Sequence, residues 1–205
     1  MSDDGDSRLA EEWYQRKSAM LEELLGPEHD MVLHAMVPYY LGGSLDLYFY
    51  PKGIPGVGVA TKELSDLPGE GSSNEVFDSY ELVMFTRHPL EFDDNDEAAT
   101  PFGRALQTIS PILNCIARYS EQASLNPLET CEFPEEFEAL GGKCLIFDSY
   151  GQEADEPADF GLLLVLEIHP SEMKYAREYG GKLLLDRLKA AGHYPYSDLD
   201  RPAVV

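Results

Sequence analysis

Apolar and polar residues alternate with a period of two through Ser44-Leu45-Asp46-Leu47-Tyr48-Phe49-Tyr50-Pro51, with Leu45, Leu47 and Phe49 set against Asp46, Tyr48 and Tyr50. That periodicity predicts a strand with one buried face. Val57-Gly58-Val59-Ala60-Thr61-Lys62 and Tyr80-Glu81-Leu82-Val83-Met84-Phe85 predict two more strands. Between them lie the turn Glu63-Leu64-Ser65-Asp66-Leu67-Pro68 and the Gly- and Ser-rich run of residues 69–74. Residues 31–37 carry apolar side chains on both faces and predict an internal strand. Residues 143–148 and 160–168 complete the strands.

Helical spacing predicts three helices. Residues 8–25 place Leu9, Trp13, Met20 and Leu24 on one face, and Gly26-Pro27 stops the pattern. Trp13 is expected to anchor this helix to the sheet. Residues 100–123 turn Phe102, Leu106, Ile109, Leu113 and Ile116 inward, with Pro111 removing an amide donor and kinking the helix. Residues 172–191 form the last helix, with Ser171 as its cap, Glu172 favourable to its dipole and Gly192 at its end. Residues 124–138 read as a long loop and residues 1–7 as a disordered tail. Helices at both ends and in the middle, with strands between, break the β-α-β alternation of doubly wound folds. The expected class is α+β, a mixed, mostly antiparallel sheet covered by helices, as one domain over residues 8–205.

Charge changes the picture. The 205 residues carry 38 acidic and 15 basic side chains, a formal net charge of −23. Such a surface repels phosphate backbones and disfavours nucleic-acid binding, and it speeds encounter with a basic protein. The acids cluster at Asp3-Asp4-Asp6, residues 93–97, residues 132–138 and residues 153–159. Residues 93–97 lack the glycine and the terminal bidentate glutamate at the spacing a calcium loop requires. Cys115, Cys131 and Cys144 are odd in number and form no C-x-x-C pair, which points to a reducing cytoplasm. The first residues are acidic, without a basic or apolar leader region, and the longest apolar run, residues 162–166, is too short to cross a membrane.

Local catalytic signatures are missing. No H-x-x-x-H or H-E-x-x-H pair and no G-x-S-x-G elbow occurs, and the glycines match no Walker or Rossmann pattern. Cys131 lies between acids, which raise a thiol pKa and oppose reactivity. The expectation is a non-enzyme with no cofactor and no metal. The rival is a metal-assisted hydrolase that uses scattered acids with His88 or His169.

The order D-L-Y-x-Y-P at residues 46–51, T-x-E-L-S-D-L-P at residues 61–68 and Y-E-L-V-M at residues 80–84 resembles the suppressor of fused domain family. The hydrophobic strand at residues 162–168, the P-x-x-E start at Pro170, the helix through Tyr179-Gly180-Gly181 and the closing D-x-x-R at residues 198–201 extend the resemblance over most of the chain. The chain departs at Glu63, where the family usually has glycine. The resemblance implies a protein-binding domain with no established catalytic centre. It is similar only to the N-terminal domain of the animal members, which grip an extended peptide between two domains. Glu70 falls at an acid that contacts the peptide there, and Val59 at an aromatic contact position. Ser65 and Asp66 are expected to fix the turn through side-chain bonds to nearby amides. Val59, Asp66 and Glu70 are thus the partner-binding candidates, with the segment from Val59 to Glu70 lining the surface. Glu81 reads as a strand acid that pairs with backbone or an arginine, with Arg201 the candidate. A stand-alone acidic form looks like the bacterial branch, many of whose members are inferred to be immunity proteins that occlude toxins. A peptide-binding adaptor using a sheet edge near Glu70 is the alternative.

Overall fold

The computed structural model describes residues 3–93, 96–152 and 158–205. Met1 and Ser2 of the expected tail, and parts of the acidic clusters at residues 93–97 and 153–159, lie outside the described residues. In chain order the elements are α1 (Asp3–Leu25), β1 (Val32–Leu33), β2 (Leu47–Tyr50), β3 (Val57–Ala60), β4 (Tyr80–Thr86), α2 (Pro101–Ser120), β5 (Thr130–Glu132), β6 (Cys144–Tyr150), β7 (Gly161–Ile168), α3 (Pro170–Tyr179) and α4 (Gly181–Ala190). The helix α1 starts upstream of the Arg8 expected from apolar spacing, and residues 3–7 are helical.

The strands form one sheet in the order β1-β2-β3-β4-β7-β6-β5. Only β4 and β7 run parallel, with Val83 opposite Leu164, and every other pairing is antiparallel. This is the α+β class and the mixed, mostly antiparallel sheet expected from the sequence.

Every residue of β2, β3, β4 and β7 is buried. On one face Leu47, Phe49, Val59, Leu82, Met84, Leu163 and Val165 pack against Phe102, Ile109, Leu113 and Ile116 of α2. On the other, Tyr48, Tyr50, Val83, Phe85, Leu164 and Leu166 pack against Leu21 and Leu25 of α1 and against Met173, Leu184 and Leu188 of α3 and α4. The alternation in β2 therefore does not mark one buried face. Tyr48 and Tyr50 are buried as well as Leu47 and Phe49, because tyrosine brings enough apolar ring to fill a core once its hydroxyl is satisfied. The Tyr50 hydroxyl donates to Glu28 at 2.9 Å.

Four further expectations are corrected. Residues 31–37 give only the two-residue edge strand β1, with Leu33, Met36 and Val37 exposed, rather than an internal strand. The stretch read as a loop contains β5, which closes the opposite edge. The buried stripe of α1 is Trp13, Lys17, Leu21 and Leu25, while Leu9 is exposed. These four stand at i, i+4 spacing, and a lysine in the stripe hid it from an apolar count. The last helical segment is two helices broken at Gly180, whose φ of 102° suits glycine.

Ser171 does not cap α3. The Glu172 carboxylate reaches back instead and accepts the His169 amide at 2.8 Å. It also accepts the Val204 amide at 3.0 Å and the two terminal Arg201 guanidinium nitrogens, at 2.6 and 2.8 Å. Both side chains of this pair are buried. Burial alone would raise the Glu172 carboxyl, but the hydrogen bonds from Arg201, His169 and Val204 outweigh it and hold the carboxyl below the ordinary glutamate range. Arg201 thus pairs with Glu172 and not with Glu81.

Arg201→Met should leave Glu172 buried without its cation and cost about 3–5 kcal/mol in urea unfolding at neutral pH. Folding lowers the Glu172 pKa, so the stabilisation is fully present above the ordinary glutamate value of about 4.3. It is lost as pH falls through the lower native value, and the gap between variant and parent should close over that acidic range.

Candidate functional site

The loop between β3 and β4 is held from inside the protein. Glu81, fully buried on β4, points its carboxylate at the first residues of that loop. It accepts the Thr61 hydroxyl at 2.7 Å and the Leu64 amide at 3.2 Å. Thr61 in turn accepts the Leu82 amide through its hydroxyl at 2.9 Å and donates its own amide to the Leu82 carbonyl at 3.1 Å. The cation is Lys17 of α1, with its side chain 2% exposed. Its ammonium donates to Glu81 at 2.8 Å, to the Lys62 carbonyl at 2.7 Å and to the Ser65 carbonyl at 2.6 Å. All three ammonium protons are used, which is what a buried lysine needs to stay charged. One helical turn earlier, the Trp13 indole donates to the Ser65 hydroxyl at 3.1 Å and meets Phe160 edge to face.

Beyond Ser65 the chain turns outward. Asp66 and Glu70 are exposed, and the tip is closed by the Glu70 amide donating to the Leu67 carbonyl at 3.2 Å. The Asp66 carboxylate makes no hydrogen bond or ion pair among the described residues, so it does not fix the turn. Lys17, Glu81 and Trp13 do that work. Val59 is fully buried in β3 between β2 and β4, so it lies in the core and not on a contact surface. The structure brings Asp66 and Glu70 to one exposed tip and separates Val59 from them.

Glu63 sits at the base of the tip and accepts the Asp46 amide at 2.8 Å. Burial raises its carboxyl above the ordinary range; the Asp46, Glu81 and Asp66 carboxylates add to this, against the opposing bond from the Asp46 amide. Lys62 pairs with Glu28, bonds Ser18 and stands 4.4 Å over the Tyr48 ring.

The residues of the hydrolase rival fall apart. His88 lines a cleft of about 420 Å³ with Arg104, Lys143, Glu167 and Asp198. Its Nε2 lies 3.7 Å from Asp198, whose carboxylate is already engaged by the Thr86 hydroxyl and the Arg87 amide. Glu167 is raised by burial, against the hydrogen bond from Lys143 at 2.6 Å. His169 does not line that cleft; its Nε2 lies 2.9 Å from the Arg201 carbonyl. Among the described residues no three His, Cys, Asp or Glu side chains are grouped so as to hold a metal. Burial pushes the Cys115, Cys131 and Cys144 thiols up; for Cys131 the neighbouring Cys115 and Glu132 add to burial, as acidic flanks suggest. No helix among the described residues is long and apolar enough to cross a membrane.

Lys17→Ala should strip Glu81 of its cation and two carbonyls of their donor, costing about 3–5 kcal/mol in denaturant unfolding. Asp66→Ala, at an exposed side chain without partners, should stay within about 0.5 kcal/mol.

Comparison with known proteins places this geometry. No protein-family model and no curated protein matches the sequence. Solved structures do. The crystal structure of a Sufu–Fu complex superposes at a TM-score of 0.61 with 15% identity, covering 96% of this chain and 92% of that one. A suppressor of fused homolog from Neisseria gonorrhoeae gives 0.57 with 12% identity, covering 95% and 97%. Drosophila Suppressor of Fused gives 0.58 with 17% identity over 91% of this chain, which spans 49% of that larger protein. Three independent superpositions over nine-tenths or more of the chain establish that it has a suppressor of fused-like fold.

Proposed function

We propose that this chain is a non-enzymatic protein-binding domain of the suppressor of fused type, acting over residues 8–205 in a reducing cytoplasm. Its partner is a basic protein, captured stoichiometrically. In a bacterial setting, the partner is a toxin whose basic face is occluded. The observation that carries the reading is the conjunction of a fold whose relative is solved bound to Fu with a net charge of −23. The exposed Asp66 and Glu70, on a loop pinned by Lys17 and Glu81, give that charge a rigid point of presentation. Preorganised contacts lose less entropy on binding than a mobile loop would.

Association with a basic toxin domain, measured by stopped-flow fluorescence, should slow steeply as salt is raised. Screening shortens from about 10 Å at 0.1 M to about 3 Å at 1 M. Glu70→Lys should slow association several-fold and leave the melting temperature unchanged, because rim charges act on the encounter rate. A tight complex whose association rate ignores both salt and Glu70→Lys would overturn charge-selected capture.

A further inference from the structure

Three basic side chains of this acidic protein converge on one cleft. Arg104 of α2, Lys143 just before β6 and His88 after β4 line the space of about 420 Å³ together with the acids Glu167, Asp198 and Asp200. The cleft lies at the C-terminal ends of β4 and β7, which run parallel. The Asp66–Glu70 tip stands at the other end of β4, where the chain enters that strand. A space of this size falls in the range of small-molecule sites, roughly 300–1,000 Å³. Ala105, Ile109 and Leu199 give it apolar surface between the charges.

What sets the cleft apart is hydrogen-bonding capacity left unused. The Glu167 side chain is only 4% exposed, and its Oε1 accepts from Lys143 at 2.6 Å. Its Oε2 makes no hydrogen bond among the described residues. Burial raises this carboxyl even against the Lys143 bond, so one ammonium does not offset the enclosure. The Lys143 ammonium keeps two protons beyond the one given to Glu167. Arg104 engages only Nη1, on the Ala98 and Ala99 carbonyls at 2.9 and 3.2 Å, and its Nε and Nη2 have no acceptor among the described residues. Asp200 is exposed, with no hydrogen bond or ion pair among the described residues. Asp198 and Ser197 are different. The Thr86 hydroxyl and the Arg87 amide already hold the two Asp198 oxygens, and the Ser197 hydroxyl is engaged by the Glu167 amide and the Val165 carbonyl.

We infer that this cleft binds a free α-amino acid with an apolar side chain. Unused donors and unused acceptors line one space, Lys143 and Arg104 with Glu167 Oε2 and Asp200. A lone carboxylate would meet the two cations but also Glu167, and a lone amine would meet the acids but also Lys143. In a partly buried site the like charge opposes either one. A molecule that carries both groups on one carbon satisfies both sets. Its ammonium goes to Glu167 Oε2 and Asp200. Its carboxylate goes to Lys143 and to Arg104, in the first turn of α2, where the helix dipole favours an anion. Its side chain lies against Ala105, Ile109 and Leu199. The net charge of −23 repels a free anion, whereas a zwitterion carries no net charge. The inference stands independently of the protein-binding reading.

The test is a thermal-shift screen of the full chain against the common α-amino acids, one at a time, followed by titration calorimetry. At least one amino acid with an apolar side chain should bind with a Kd of about 1 mM or below. Its deaminated acid and its decarboxylated amine (isocaproate and isoamylamine, for leucine) should each bind about tenfold or more weakly, because each leaves a charged partner unpaired. Arg104→Gln and Glu167→Gln should each lower affinity for the amino acid by about tenfold or more, the size of a lost charge-assisted hydrogen bond. Arg104 is exposed, so its variant should melt with the parent; should Glu167→Gln fail to fold, Arg104→Gln alone decides. The site is overturned if no α-amino acid binds at about 1 mM. It is equally overturned if the lone acid or the lone amine binds as well as the amino acid, if a charged side chain is preferred to every apolar one, or if the folded variants keep the parent's affinity.

Discussion

A single buried ammonium ties together three parts of this molecule that are remote in sequence. Lys17 lies in the first helix, Glu81 in the central strand β4, and the Lys62 and Ser65 carbonyls in the loop between β3 and β4. Removing a lysine and a glutamate from water costs several kcal/mol for each ion, so the pair is no simple source of stability. What it supplies is position. An ammonium with all its donors committed to fixed acceptors has one arrangement, and that arrangement sets where α1 crosses the sheet and where the loop leaves it. Trp13 fastens the same loop one helical turn away.

The Glu172–Arg201 pair repeats the design at the other end of the chain. It joins the start of α3 to the C-terminal segment, and the Glu172 carboxylate accepts from two backbone amides besides the guanidinium. Both pairs are enclosed joints inside a protein whose surface carries a large excess of negative charge. Surface acids repel one another and favour solubility, while the buried pairs are shielded from salt and keep their geometry. Charges that are paired and dry hold the frame, while Asp66 and Glu70 stay exposed to solvent.

Covering the sheet on both faces has a consequence for binding. Once α2 takes one face and α1, α3 and α4 the other, no broad strand surface is left for a partner. What remains are loops at the strand ends and the two edges. β5 closes one edge near α3, where Arg177 pairs with Glu132. The other, β1, is short and carries the exposed apolar run. A short edge strand is one way proteins limit unwanted sheet-to-sheet pairing, and strong like charge is another.

Much of the architecture was legible in the sequence. Alternation and apolar runs located β2, β3, β4, β6 and β7, and Gly26-Pro27 and Gly192 marked helix ends, because strand and helix periods are local properties of the chain. The motif order pointed to the fold that the superpositions show. The sequence also carried the charge that argues for a basic partner. It placed Asp66 and Glu70 in a turn, and a turn rich in acids and glycine reads as exposed. Tertiary structure decided the rest. Whether Val59 faces solvent depends on which strands flank β3, and whether residues 31–37 are internal or edge depends on sheet order. Apolar pattern is the same in both cases. Nothing local to Lys17 shows that Glu81 and two carbonyls await it from more than forty residues away. The same holds for Arg201, whose partner proved to be Glu172. Long-range pairing of charges is set by the packing of distant elements, and no window of neighbouring residues contains that information.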